Sequence, residues 1–267
     1  MNLHLVERQQ VEASLRRALD HEEFTLHYQA KVNLDTGMIT GAEALLRWRH
    51  PEWGMVAPAR FIPVAEATGL ILPIGRWVLG EACKQAKRWL DLGLPIGAIA
   101  VNISAIQLRQ EDFVSRVKAI LHQTGLPGRH LQLEITESVL MADAAHNGTV
   151  LQQLKDIGVQ WAVDDFGTGY SSLSYLSQFP IDVLKIDHSF VSSIETGPHD
   201  GIIASAVIGM GNNLDLCVVA EGVETWAQVE FLRQRHCDEA QGFLFSHPIP
   251  SDAFAKLLVA GPPRLAA

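Results

Sequence analysis

Carboxylates and amides recur at the ends of short apolar runs spread along the whole chain. Glu43 lies in Gly41-Ala42-Glu43-Ala44-Leu45, Asn102 in Val101-Asn102-Ile103, Glu134 in Leu133-Glu134-Ile135, and Asp164-Asp165 follows Val163. Asp187 follows Leu184-Lys185-Ile186, Glu221 follows Ala220, and Gln241 lies in Glu239-Ala240-Gln241-Gly242. A single glutamate in a strand is most often a surface or ion-paired residue, but a series at strand ends asks for a common cause. Gathered in one place, several carboxylates repel one another and stay ionised only beside cations, so metal ions are implied. Oxygen donors from Glu, Asp and Asn suit Mg²⁺ or Mn²⁺ and disfavour structural zinc. Adjacent Asp164 and Asp165 fit a two-metal hydrolase centre, in which one carboxylate bridges ions about 3.5–4 Å apart and the other holds a single ion.

Other candidates are weaker. Lys185 sits between Leu184 and Ile186 and points to the opposite pleat face, so it is either part of the site or a simple partner for Asp187 or another carboxylate. Gly167-Thr168-Gly169 lacks the length and the Gly-Lys-Ser/Thr ending of a phosphate-binding P-loop, and reads as a turn or mobile loop over the site. The 11 histidines contain no H-E-x-x-H pair. Cys83, Cys217 and Cys237 are odd in number and show no C-x-x-C spacing, so they are expected to be buried, reduced thiols.

The elements that must carry these residues alternate. Apolar, β-branched runs at 24–32, 39–46, 99–103, 131–136, 159–163, 183–186 and 216–220 read as strands, with an eighth at 239–242. Helical spacing marks 59–67, 74–90, 113–124, 147–157, 200–212 and 226–235, and an amphipathic helix precedes them at 5–20. Repeated βα units predict a mainly parallel sheet covered by helices. Eight strands without a G-x-G-x-x-G after the first favour a closed barrel over an open doubly wound sheet. Asp35-Thr36-Gly37 reads as a hairpin turn, which makes the first strand irregular and antiparallel. In a parallel barrel the C-terminal strand ends converge on one mouth, where the scattered carboxylates would meet.

Composition narrows the function. The 267 residues are 48% hydrophobic and 19% charged, enough for a sizeable core, with 21 basic and 30 acidic residues giving −9 at pH 7. That balance lacks the basic surplus needed to bind a polymeric nucleic acid. No apolar run reaches the roughly 20 residues of a membrane span and no signal peptide is visible, so no direct membrane insertion and a cytoplasmic location are expected.

Together the segments resemble a known family. Glu43-Ala44-Leu45-Leu46-Arg47-Trp48, Asn102-Ile103-Ser104, Leu133-Glu134-Ile135-Thr136-Glu137-Ser138, Asp164-Asp165-Phe166-Gly167-Thr168-Gly169-Tyr170-Ser171-Ser172-Leu173, Leu184-Lys185-Ile186-Asp187, Ala220-Glu221-Gly222-Val223-Glu224-Thr225 and Gln241-Gly242-Phe243 resemble the EAL-domain phosphodiesterases of bacterial cyclic di-GMP signalling. The likeness runs in order from about residue 24 to 250. It implies a modified TIM (β/α)₈ barrel, residues 22–267, hydrolysing cyclic di-GMP to linear 5′-pGpG with two divalent cations, Mg²⁺ or Mn²⁺, and inhibited by Ca²⁺. By motif position, Glu43, Asn102, Glu134 and Asp164 would hold one ion, and Asp164 and Asp165 the second, joined by Glu221 directly or through water. Lys185, Glu221 and Gln241 are the implied catalytic groups, Gln29, Arg47 and Gln241 the substrate contacts, and Glu137 and Glu224 support the loops. Two positions depart from the family: Ala30 replaces its usual Pro, and His247 replaces its Arg or Lys.

The helix within residues 1–21 resembles the linker that joins a GGDEF or sensory domain to such a barrel, and a homodimer is a further implied partner. Two other readings stand beside this one. A cyclic di-GMP-binding regulatory module would typically lack part of the metal set, whereas every position is filled here. A metal-dependent barrel enzyme enolising a carboxylate substrate would need a base, for which the sequence offers only Lys185.

Overall fold

The hairpin expected at Asp35-Thr36-Gly37 forms, and it decides how the barrel closes. In the computed structural model, which describes residues 2–168, 176, 178–195 and 201–261, β1 (Phe24–Asn33) turns back on β2 (Ile39–His50). Asn33 N–H donates to the Met38 carbonyl at 2.9 Å, and the Asn33 side-chain oxygen accepts from Thr36 N–H at 2.8 Å. Gly37 takes a φ of 69° that a side chain would oppose.

β3 (Gly54–Val56) extends the hairpin outside the ring. Then come β4 (Ala98–Asn102), β5 (Leu131–Thr136), β6 (Gln160–Phe166), β7 (Val183–Ile186), β8 (Cys217–Ala220) and β9 (Glu239–Ala240). From β2 through β4 to β9 every neighbouring pair is parallel. β1 then closes the ring by pairing antiparallel with both β9 and β2. β10 (Ile249–Pro250) is a second outer edge, paired with β1. The barrel therefore has the reversed first strand that its turn chemistry predicts.

Helices cover the outside as expected, most with bounds shifted by a few residues. They include Pro58–Thr68, Ile71–Asp91, Phe113–Thr124, Ala144–Lys155, Ile202–Asn213 and Trp226–Arg233. Helices Pro58–Thr68 and Phe113–Thr124 end at Gly69 and Gly125, both left-handed. A helix not expected from the sequence, Ser251–Ala260, seals the shell. Its Phe254 lies 5.1 Å from the Trp89 ring, which meets Tyr28 edge-on at 4.8 Å. Cys83 and Cys237 are buried free thiols as anticipated, whereas Cys217 is only half-buried.

The N-terminal helix Asn2–Ala18 is part of this core. Val11, Leu15 and Ala18 are fully buried with Trp48 and Phe61, and Ser14 meets the His50 ring at 3.2 Å. Burial at that depth should make Leu15→Ala cost about 2–4 kcal/mol. Glu12→Ala, which removes only the pair with the exposed Arg16, should change stability by less than about 0.5 kcal/mol. Urea unfolding of the two variants checks this; equal, negligible effects would mean the helix is detachable.

Candidate active site

Inside the barrel, alternate positions on each strand form layers. Ala162 on β6, Val183 on β7 and Val219 on β8 make an apolar layer. Two residues further along stand Asp164 and Lys185 on their strands and Glu221 just past the end of β8, while Glu43 on β2 and Glu134 on β5 join them from the other side. The period of two in a strand thus turns an apolar floor into a charged mouth within one step.

Lys185 is the centre. It is 1% exposed, and its Nζ lies 2.5 Å from Glu134 Oε2, 2.7 Å from Glu221 Oε1, 3.2 Å from Asp164 Oδ1 and 3.9 Å from Glu43 Oε2. Burial alone would favour the neutral amine. The carboxylates of Glu134, Glu221, Glu43 and Asp164 win and push the ammonium well above its ordinary range. Asp187 is not its partner; that carboxylate instead accepts from Ser189 N–H at 3.0 Å and opens helix His188–Ser192.

Asp164 and Asp165 face one place because β6 is not regular there. Successive strand residues normally point to opposite faces. The β6–β7 register shifts between Val163 and Phe166, and Asp165 takes a left-handed φ of 52°, so both carboxylates reach the mouth. Oxygens of Asp164, Asp165 and Glu221 lie within 4.8 Å of one another. Asp165 is pushed up by burial, then by the charges of Asp164 and Asp187. Asp187 thus borders the cluster, a neighbour that its strand-end position signalled in the sequence.

Glu43 is ringed by donors. Asn102, exposed at the rim, donates to its Oε1 at 2.6 Å, and Gln241 donates to its Oε2 at 2.6 Å. Burial would raise its pKa, but Lys185, these two amides and Lys31 hold it below the usual carboxylate value. Gln241 also donates to Gln29 at 3.0 Å, and Gln29 donates to the Ser246 carbonyl at 3.0 Å. Ser246 Oγ accepts from Ala30 N–H at 3.2 Å, a bond that proline at this position could not make. Arg47 is half-buried, four residues along from Glu43, and donates to the Leu46 carbonyl. His247 packs against the exposed Phe243 ring, 4.2 Å between centroids.

Of the loop candidates, Glu137 is 3% exposed and its Oε2 accepts from Gly167 N–H at 3.3 Å, so it grips the loop that leaves Asp165. It also opens the short helix Glu137–Ala142. Thr168 instead donates to the Asp165 carbonyl. Gly169, Ser171 and Ser172 lie outside the described residues. Glu224 is exposed, and its N–H donates to Gln228 as part of a helix cap. Sequence reasoning missed Lys31, which is 3% exposed and 3.8 Å from Glu134 Oε1; its only signal was its position two residues after Gln29.

The residues fit divalent cations. Hard oxygen donors converge at the mouth, and Gln241 Oε1 there is buried without a hydrogen-bond partner among the described residues. Carboxylates packed this closely also hold protons. Burial, outweighing Lys185, pushes Glu134 up to about 7 and Glu221 up to about 8.

Comparison with known proteins gives the same architecture. Residues 12–248 match the EAL domain family model. The bifunctional diguanylate cyclase/cyclic di-GMP phosphodiesterase MucR of Pseudomonas aeruginosa is 46% identical over 252 residues, which is 94% of this chain and 37% of MucR. The cyclic di-GMP phosphodiesterase NbdA of the same organism is 44% identical over 249 residues, 93% of this chain and 32% of NbdA. The chain thus spans about a third of these curated relatives. A solved structure of the P. aeruginosa MucR phosphodiesterase in complex with c-di-GMP, 46% identical, superposes with a TM-score of 0.89 over 92% of this chain and 99% of that one.

Protons on Glu134 and Glu221 compete with cations. Because both pKa values are raised, the folded metal-free protein holds these protons below pH 7 and sheds them as pH climbs through 7 to 8. The rise in melting temperature caused by Mg²⁺ or Mn²⁺ should therefore grow from pH 6 to pH 8.5. Differential scanning fluorimetry at three pH values checks it; a cation effect independent of pH would contradict it.

Proposed function

Because the chain belongs to the EAL domain family, we propose that it is a metal-dependent phosphodiesterase that hydrolyses cyclic di-GMP to linear 5′-pGpG. The observation that carries this reading is the buried Lys185 ringed by Glu43, Glu134, Asp164 and Glu221 at a barrel mouth where Asp164 and Asp165 both turn inward.

Glu43, Asn102, Glu134 and Asp164 would hold one Mg²⁺ or Mn²⁺, and Asp164, Asp165 and Glu221 the second. When bound, two such ions lower the pKa of a water and offset charge on the phosphate during an in-line displacement. The chain's own groups do the rest. Lys185 is held as an ammonium, so it donates to the attacking water or to the charge growing on the phosphate, and cannot serve as a base. That counts against an enolising enzyme. Gln241 Oε1, buried and without a partner among the described residues, accepts from the same water and orients it. Arg47 binds a phosphate from the rim. Gln29 reads a guanine edge, exchanging a bond to Ser246 or Gln241 for one to the base.

In a longer protein, residues 1–21, whose helix docks on the barrel of residues 22–267, would lead to it from a GGDEF or sensory domain, and two copies would pair as a homodimer. No helix among the described residues is long and apolar enough to cross a membrane; we assign the reaction to the cytoplasm because its substrate is an intracellular messenger.

Turnover of cyclic di-GMP, read as pGpG by chromatography, should require Mg²⁺ or Mn²⁺ and fail with Ca²⁺, whose longer bonds and looser coordination misplace the water. Glu43→Gln should lose cation binding and turnover together, whereas Lys185→Ala should lower kcat with little change in KM. Binding without turnover under these conditions would make the chain a sensor instead. Glu137→Ala should cost about tenfold in kcat with circular dichroism unchanged. Wild-type kcat there would reduce Glu137 to a helix residue.

A further inference from the structure

Lys31 is a second buried cation beneath the site. It sits on β1, the reversed strand, whose C-terminal end reaches the floor of the barrel rather than the mouth. Its Nζ donates to Gln132 Oε1 and lies 3.8 Å from Glu134 Oε1, the oxygen with no hydrogen bond among the described residues. Gln132 and Glu134 occupy successive inward positions on β5, so Gln132 holds the ammonium directly below the carboxylate. The stem passes over Gly41, where a Cβ would come within 3.3 Å of Lys31 Cε and 2.5 Å of the Ala98 carbonyl oxygen. The barrel thus keeps room for this side chain.

Resting on the phosphodiesterase reading, we propose that Lys31 is a positioning residue: a fixed floor-side counter-charge that keeps one Glu134 oxygen turned down so that the other stays aimed at the mouth. The geometry supplies the reason. Glu134 is fully buried, and its Oε2 is 2.5 Å from Lys185. Lys185 is shared with Glu221, Asp164 and Glu43 and would have to release some of them when cations enter. A buried carboxylate that loses its partner pays the full desolvation cost. Lys31 cannot be displaced in the same way, because it approaches from the opposite side.

The floor also offers a way to test this. A cavity of about 420 Å³, lined by Lys31, Gln132, Arg129, His130, Cys217 and Glu239, opens to solvent at the N-terminal ends of the parallel strands. A small solute can therefore reach the place a truncated Lys31 would vacate.

In the full chain, Lys31→Ala should lower kcat for cyclic di-GMP about tenfold or more while KM stays within about twofold. Mn²⁺ affinity measured by calorimetry should weaken about tenfold. Propylammonium supplies the missing atoms beyond Cβ and should restore kcat; neutral n-propanol should not. Lys31→Met, which keeps bulk and removes charge, should behave like Lys31→Ala. Wild-type kcat in either variant would overturn the proposal, as would tighter Mn²⁺ binding, which would mean that Lys31 merely repels cations. Equal rescue by propanol would mean that Lys31 only fills space, and loss of the circular dichroism signature in both variants would mean that its charge serves the fold rather than the aim of Glu134; either would overturn the proposal. Absence of turnover in the wild type would count against the phosphodiesterase reading alone, and the Mn²⁺ titrations would still decide the role of Lys31.

Discussion

An ammonium group with almost no contact with water, shared among carboxylates from β2, β5, β6 and the end of β8, is the interaction on which this barrel depends. Burying an isolated charge is prohibitive, and burying several of one sign is worse. Each group here is tolerable only because the others are present. The consequence is spatial. Strands distant in sequence must end at the same height, since Lys185 can satisfy Glu134 at 2.5 Å and Glu221 at 2.7 Å only if β5, β7 and β8 stand in register. The apolar layer of Ala162, Val183 and Val219 below sets that height by packing, and the ion cluster registers it.

The same economy explains the irregular backbone at Asp165. A regular β6 would put one of the two aspartates among the helices, where a carboxylate has no compensation. A register shift with a left-handed residue costs of order 1–2 kcal/mol, less than burying an unpaired carboxylate. The loop that follows inherits the distortion, and Glu137 and Phe190 restrain it. The Glu137 carboxylate takes Gly167 N–H, while a Cβ at Gly167 would lie 3.0 Å from the Phe190 ring.

Much of this was legible from residue order alone. Strand 131–136 and helix 113–124 have the bounds that periodicity assigns, and the Asp-Thr-Gly turn correctly announces the reversal of β1. Strand-end carboxylates are readable because a parallel barrel converts a recurring sequence position into a shared location. Other features depend on tertiary context. β6 overruns its expected end because a bulge keeps it paired beyond Val163. Helix Ser251–Ala260 carried signals that went unused: prolines before it, Gly261 after it, and Phe254 and Leu258 one turn apart. Lys31 could not be read as part of the site, because a lysine among Ala30 and Val32 gains meaning only once β1 is known to run toward the floor.

The hairpin between β1 and β2 also limits how the chain can change length through evolution. Along β1, Tyr28, Ala30 and Val32 face the helices, and Gln29 and Lys31 face the pore. Insertion or deletion of one residue ahead of the hairpin would exchange the two sets, sending an amide and an ammonium into the apolar shell and an aromatic ring into the ion cluster. Loops elsewhere on the surface can lengthen while leaving strand phase intact. This turn cannot, so its length should drift far more slowly among descendants than its residue types.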